Sequence, residues 1–92
     1  MNRAEILATA TQYVTKDRAA THGDAVTNHE LIARYWEIHL GHPVTASDVL
    51  VMMALLKIGR IKGNAGNADH WVDGCGYLAL GGEISTSTGR AE

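Results

Sequence analysis

The sequence has one cysteine, one proline and no long apolar segment, and each scarcity excludes a class of protein. A single cysteine, Cys75, cannot form an internal disulfide, which favours a reducing compartment. No segment resembles a signal peptide, and no apolar stretch reaches the about 20 residues that a membrane span requires. With 46% apolar residues among 92, we expect one globular cytoplasmic domain.

The chain also lacks an excess of basic residues. Eight Lys and Arg stand against ten Asp and Glu, for a net charge of −2. Proteins that bind nucleic-acid polymers usually present a clustered basic surface. We therefore expect neither DNA nor RNA as a polymer partner, and no membrane partner.

An unbroken apolar run at residues 49–56 is the clearest structural signal. Thr45 and Asp48 before it resemble a capping box, and Gly63 after it suits the end of a helix. The pattern predicts a central helix over residues 46–62. Because its middle is apolar all round, we expect this helix to be buried on several sides by the others.

Three further helices are predicted, which makes the fold class all-α and four-helix bundle-like. Helix one spans about residues 2–16. Helix two spans residues 25–40, with Asp24 as its N-cap and Gly41 as its stop. Helix four runs from about residue 68 to Gly81, within a domain over 1–83 followed by a polar flexible tail at 84–92. The predicted inward stripe of helix two is Val26, Leu31 or Ile32, Tyr35, Trp36 and Leu40.

Two glycines, Gly74 and Gly76, lie in the middle of predicted helix four. Each costs about 1 kcal/mol relative to alanine in a helix. This cost indicates close approach of another backbone or of a ligand. Packing against the central helix and self-association through this face both remain open.

Opposite charges are expected to meet between the central helix and helix four. If the turn at 63–68 makes the two helices antiparallel, facing residues have numbers that add up to about 130. Lys57 then faces Asp73, and Arg60 faces Asp69 or His70. The arrangement fits interhelical salt bridges, or a phosphate or divalent ion held between the helices.

A second group of polar residues lies around the start of helix two. The guanidinium of Arg18 offers a fork for phosphate, and His22 and Gly23 follow it. Free N–H groups at the helix start, near Asp24 and Asn28, can receive an anion. Alternatively, Asp24 is only a cap and Arg18 only a solvated charge.

Three blocks of residues together resemble a known group of proteins, and they cover about residues 3–83. The group consists of small phage and prophage proteins that carry a domain of unknown function. It is distantly similar to all-α MazG-like nucleotide pyrophosphohydrolases. The resemblance implies an oligomeric helical bundle in the host cytoplasm with a nucleotide ligand. The blocks are Arg18, His22–Asp24, Asn28, Ile32, Ala33 and Trp36; Asp48, Val49, Met52, Met53, Leu56, Lys57 and Arg60; and 69–73, Gly76 and Tyr77.

The sequence departs from the MazG-like enzymes at their metal ligands. Those enzymes hold magnesium on Glu-x-x-Glu and Glu-x-x-Asp pairs, whereas Glu30 and Glu37 here are seven residues apart and Asp69 and Asp73 are four apart. A magnesium-dependent hydrolase therefore stays an alternative. It would use Glu30, Asp69 and Asp73 as metal ligands and a water as the attacking group.

The sequence favours a binding module that captures a phosphate-bearing nucleotide, a cyclic signalling nucleotide included, without consuming it. No metal or other cofactor is expected in that case. A third alternative is a structural or assembly protein without a small ligand. In the predicted ligand site, phosphate is held by Arg18, Lys57 and Arg60, a base stacks on His22, Trp36 or Tyr77, and Asp24 and Asn28 complete the set.

Overall fold

A computed structural model of the chain describes residues 1–17 and 24–87. In these ranges the chain forms four α-helices and no strand, which confirms the all-α prediction. Residues Tyr13–Asp17 continue the first helix as a π-helical turn. The helices are α1 (Arg3–Gln12), α2 (Ala25–Leu40), α3 (Ala46–Gly63) and α4 (Ala68–Ser87).

The predicted helix starts are confirmed by their caps. Asn2 and Thr45 each form a capping box with the acidic residue three positions later. The Asp24 carboxylate accepts a hydrogen bond from the Thr27 backbone N–H at 2.9 Å, which holds the pKa of Asp24 below its usual range. At the other end of α2, Gly41 adopts the left-handed conformation with φ 67°, as its C-cap role requires.

The predicted register between α3 and α4 is confirmed. A Cβ placed on Gly74 would lie 3.9 Å from Lys57 Cβ, and one on Gly81 would lie 3.3 Å from Leu50 Cβ. Farther along, the hydroxyl oxygens of Ser47 and Ser85 are 2.8 Å apart. The numbers of these facing pairs add up to 131 or 132, so the two helices are antiparallel along their length.

The predicted end of α4 at Gly81 is wrong, because the helix continues to Ser87. Gly81 is a buried contact with α3 and not a helix stop. Its missing side chain lets the two backbones approach, and the Ser47–Ser85 hydrogen bond lies one turn later. Packing against α3 therefore outweighs the low helix propensity of two adjacent glycines.

The core lies where α3 meets its two neighbours. On the α2 side, Ala33, Val44 and Val49 are buried, and Ile32, Trp36 and Met53 pack against them. On the α4 side, the buried side chains are Leu50, Ala54, Val72 and Leu80. Most of these residues are small or medium in size, so the core is thin for a chain of this length.

The predicted inward stripe of α2 is confirmed at Ile32 and Trp36, which pack against the core. It is wrong at Val26, Tyr35 and Leu40, which are exposed. Leu31, Tyr35 and Leu40 are 55–64% exposed, whereas His29 and Ala33 are buried. The small side chain of Ala33 allows α2 to lie close to α3. The imidazole of His29 tolerates burial because its Nδ1 lies 2.7 Å from the Ala25 carbonyl oxygen.

The expectation that α3 is covered on several sides is wrong for one of its faces. Its inward residues are buried, with Val49 and Leu50 fully inaccessible. Val51, Met52 and Leu55 nevertheless remain 43–57% exposed. Because α2 and α4 take two sides only, the apolar run extends around to an uncovered face.

The turn from α2 to α3 is held by Glu37. Its carboxylate accepts hydrogen bonds from the Val44 backbone N–H at 2.9 Å and from Arg34 Nε at 2.8 Å. The first of these bonds is the main reason why the pKa of Glu37 lies below its usual range. Arg34 also donates to the Val44 carbonyl oxygen at 2.8 Å. Glu37 therefore has a structural role in joining these two helices.

Gly76 and Gly82 provide a matched test of packing in α4. A Cβ on Gly76 would lie 3.1 Å from Val14 Cγ1, whereas one on Gly82 would meet nothing within 4 Å. Gly82→Ala should raise the free energy of unfolding by about 0.5–1 kcal/mol. Gly76→Ala should lower it by about 1 kcal/mol, because overpacking exceeds the gain in propensity. Urea unfolding followed by circular dichroism measures both.

Equal stabilisation by the two alanines would contradict close contact between Gly76 and Val14. The same contact explains the predicted close approach at this glycine. It is α1, through its π-helical extension, that approaches Gly76, and not the central helix. Gly74, by contrast, makes an ordinary contact with Lys57 of α3.

Candidate functional site

The predicted pairing of Lys57 with Asp73 is confirmed. Lys57 Nζ lies 2.9 Å from Asp73 Oδ2, and the two side chains are 13% and 29% exposed. The antiparallel register of α3 and α4 positions both residues. Removing either charge would leave the other half-buried without its partner, so the pair is expected to form as a unit.

The predicted pairing of Arg60 with Asp69 or His70 is wrong. Within residues 1–17 and 24–87, Lys57–Asp73 and Arg34–Glu37 are the ion pairs, and Arg60 takes part in neither. Arg60 follows Lys57 by three residues, so its side chain leaves the helix about 60° away around the axis. Arg60 and Asp69 are both exposed, and His70 Nδ1 is buried without a hydrogen-bond partner.

A narrow cleft lies on one side of the ion pair, between α1 and α4. Asp73, Gly76 and Tyr77 of α4 line it together with Tyr13 and Val14. The enclosed space is about 20 Å³, room for about one water molecule. Two phenol rings therefore border a cleft that contains the carboxylate of the ion pair.

Sequence reasoning identified Tyr77 and missed Tyr13. The spacing of Tyr13 after Ala10 is typical of an inward residue of an amphipathic helix. Tyr13 is instead 39% exposed at the π-helical turn. π-Helical turns are frequent at functional sites, but nothing in the local sequence signals one here.

An apolar groove of about 160 Å³ lies on the other side of the ion pair, between α3 and α4. Lys57, His70 and Trp71 contribute to its walls. The Trp71 indole N–H donates to the Ala65 carbonyl oxygen at 2.9 Å, which fixes the ring against the turn between the helices. Cys75 is half-buried in the same groove.

The remaining predicted ligand residues are dispersed. Trp36 lines a separate open groove of about 350 Å³ between α2 and α3, together with Met52. Asp24 is the exposed N-cap of α2, and Asn28 is half-buried one turn later. Arg18 and His22 lie outside the residues that the structure describes.

The carboxylates of the hydrolase alternative do not form a cluster. Across the described ranges, no three His, Cys, Asp or Glu side chains are arranged to hold a metal ion. Glu30 and Asp69 are exposed on different helices, and Asp73 is paired with Lys57. The described residues thus place Asp73 beside Tyr13 and Tyr77 in one cleft and Lys57 beside Trp71 in the other, but they do not bring the three carboxylates together.

The described helices also include no membrane-spanning candidate, since none is both long enough and apolar enough to cross a bilayer.

Comparison with known proteins identifies the family of the chain. Residues 5–85 match the family described as a domain of unknown function, DUF6378. The chain is 45% identical over 76 residues to the Gene 55 protein of Mycobacterium phage L5. That match covers 82% of this chain and 49% of the phage protein, so the chain spans about half of its relative. No solved structure matches the chain. The chain therefore belongs to the DUF6378 family and is similar to a phage protein.

Proposed function

We propose that this protein is a nucleotide-binding module that captures a phosphate-bearing nucleotide, linear or cyclic, without consuming it. It would act as a homo-oligomer in the cytoplasm of the phage's host. The observation that carries the proposal is the half-buried Lys57–Asp73 pair beside the cleft of Tyr13 and Tyr77. Half-buried charge next to aromatic rings is typical of ligand sites.

Lys57 suits phosphate because an ammonium has three donors. Asp73 takes one of them at 2.9 Å and fixes the position of Nζ. Arg60, one turn later on α3, is exposed and has no carboxylate partner within the described ranges. A guanidinium without a partner can form the bidentate hydrogen bonds that phosphate accepts.

The start of α2 is expected to lie beside these cations. Ile32 of α2 and Met53 of α3 pack against the same core cluster. A short turn joins the two helices, so they run antiparallel. Asn28 lies one helical turn before Ile32 on α2, and Lys57 lies one helical turn after Met53 on α3. Both residues are therefore farther from the loop that joins the two helices. This geometry favours convergence of Asn28 and Lys57 at one end of the bundle, with Tyr77 one turn from Asp73, the ion-pair partner of Lys57.

The cleft is too small to enclose a nucleotide. Its enclosed space of about 20 Å³ is far below the about 300–1,000 Å³ of typical ligand pockets. We therefore expect the ligand to lie across the mouth of the cleft, with a base against Tyr13 or Tyr77 and phosphate towards Lys57 and Arg60. The distant likeness to MazG-like enzymes, which stays a prediction, also favours a nucleotide.

Isothermal titration with linear and cyclic nucleotides in EDTA tests the proposal. At least one nucleotide should bind, and Arg60→Ala should weaken it by about tenfold, since a charge-assisted hydrogen bond contributes about 1.5–3 kcal/mol. Arg3→Ala is the matched control, because Arg3 is an exposed arginine in the first turn of α1. Tyr77→Ala should weaken binding more than Tyr77→Phe does.

Two results would overturn this assignment. One is the failure of every nucleotide to bind with the fold intact by circular dichroism. The other is equal loss of binding in Arg60→Ala and Arg3→Ala, which would indicate general charge attraction and no defined site.

A structural or assembly role without a small ligand is the second candidate. The exposed apolar side chains of α2 and α3 favour it, because contiguous patches of this kind mark interaction surfaces. It predicts self-association in the absence of any nucleotide binding.

A further inference from the structure

One face of α3 is left uncovered by both neighbouring helices, and Met52 and Ile58 at its margins line the grooves towards α2 and α4. We call it the outer face of α3, and every residue on it is exposed. Its central member, Leu55, is 57% exposed, and Val51 and Ile58 are 47% and 55% exposed. The face consists of Asp48, Val51, Met52, Leu55, Ile58, Gly59 and Lys62.

The middle of this face is continuously apolar. Between Asp48 and Lys62, its members carry no charge. Scattered exposed apolar residues are normal, whereas a contiguous apolar stripe, here about two and a half turns long, marks an interaction surface. The stripe borders the open apolar groove of Trp36, Leu40 and Met52, which widens it towards α2.

Gly59 gives an independent indication that another helix approaches. Glycine in the middle of a helix is destabilising relative to alanine. A Cβ at Gly59 would meet nothing within 4 Å, so no contact of the described chain requires a glycine there. Close approach of a second backbone would require one.

We propose that the outer face of α3 is a dimer interface, on which α3 of a second copy packs antiparallel about a two-fold axis at Leu55. Residues that face each other then have numbers that add up to 110. Leu55 meets its own counterpart, Val51 lies over the open space at Gly59, and Asp48 lies opposite Lys62. Each of these pairs occurs twice, as an interface with two-fold symmetry requires.

A second copy fits this face better than an unrelated partner because the face is complementary to itself. Its two charges are of opposite sign and lie seven residues before and after Leu55. Its bulky Val51 and its vacant Gly59 lie four residues before and after the same point. Dimers normally bury about 1,200–2,000 Å² in total, and the groove beside Met52 would extend the contact of the α3 pair towards that area.

Light scattering and sedimentation over a concentration series test the interface without any ligand. The wild-type chain should be a dimer, and Leu55→Arg should be a monomer with unchanged helical content, because two guanidinium groups would meet on the axis. Ile38→Arg is the matched control, since Ile38 lies on the outward side of α2 and is 80% exposed. It should leave the dimer intact.

Two further experiments test the register. In a Cys75→Ser background, Leu55→Cys should form a disulfide-linked dimer on mild oxidation, whereas Ile38→Cys should not. Lys62→Glu should weaken the dimer severalfold at low salt, because it places a second carboxylate opposite Asp48 and the two repel each other. Adding Asp48→Asn should restore the affinity because it removes this repulsion. The helix cap is kept, since the asparagine amide oxygen can still accept a hydrogen bond from the Thr45 N–H.

A wild-type monomer at every concentration would overturn the proposal. So would a dimer that Ile38→Arg dissociates and Leu55→Arg leaves intact, or crosslinking in Ile38→Cys alone. Efficient dimerisation without a Leu55→Cys crosslink would refute the register at Leu55. None of these results bears on nucleotide binding, which is measured separately.

Discussion

Replacing Leu50 by alanine is expected to lower the free energy of unfolding by about 2–5 kcal/mol, the largest single effect in this chain. Leu50 is fully inaccessible and lies between α3 and α4. The residue facing it is Gly81, which has no side chain that could relax into the cavity. Urea unfolding should show an earlier midpoint with an unchanged slope.

Leu56→Ala is the control for Leu50→Ala. It removes the same atoms from the same helix, but Leu56 is 43% exposed. Its loss should therefore stay below about 1 kcal/mol. Equal losses at Leu50 and Leu56 would contradict the burial pattern of α3, in which Leu50 is inaccessible and Leu56 is 43% exposed.

Removing one charge of the Lys57–Asp73 pair is expected to destabilise the fold by about 1–3 kcal/mol. Lys57→Met leaves the Asp73 carboxylate half-buried without its partner, and Asp73→Leu does the same to the ammonium. The double variant should lose less than the sum of the single losses, since neither charge is then unpaired. The expected coupling is at least about 0.5 kcal/mol.

The same double-mutant cycle, with two single variants and the double variant, at Arg60 and Asp69 is the control. These residues are exposed and form no ion pair in the described chain, so their coupling should be near zero. Coupling at Arg60 and Asp69, or its absence at Lys57 and Asp73, would refute the charge arrangement between α3 and α4.

Local chemistry made most of the fold predictable. The bounds of α2 follow from Asp24 and Gly41, and the start of α3 follows from the capping box of Thr45 and Asp48. These signals act within four residues and need no knowledge of the tertiary structure. The length of the turn at 63–68 then set the register that brings Lys57 to Asp73.

Features that depend on packing could not be predicted in this way. The inward face of α2 is centred on His29 and Ala33. The small Ala33 allows close approach of α3, and the imidazole of His29 is hydrogen-bonded to the Ala25 carbonyl oxygen of its own helix. Hydrophobic periodicity favours larger residues and selected Tyr35 and Leu40 instead. The extent of α4 depended likewise on the contact of Gly81 with Leu50, which no local pattern shows.

The candidate site was predicted in part for the same reasons. Lys57 and Asp73 meet because helical geometry alone brings them together. Arg60 was misplaced because a three-residue step turns its side chain about 60° from Lys57. Tyr13 was missed because its position at the cleft depends on a π-helical turn.

The fate of the bound nucleotide tests the central claim most directly. The complex is incubated with and without magnesium and heated, and the released nucleotide is analysed by chromatography. Capture without consumption predicts an intact nucleotide under both conditions, and binding that survives EDTA. Recovery of a monophosphate and pyrophosphate, formed only with magnesium and lost in Asp73→Asn, would contradict the claim and identify a hydrolase.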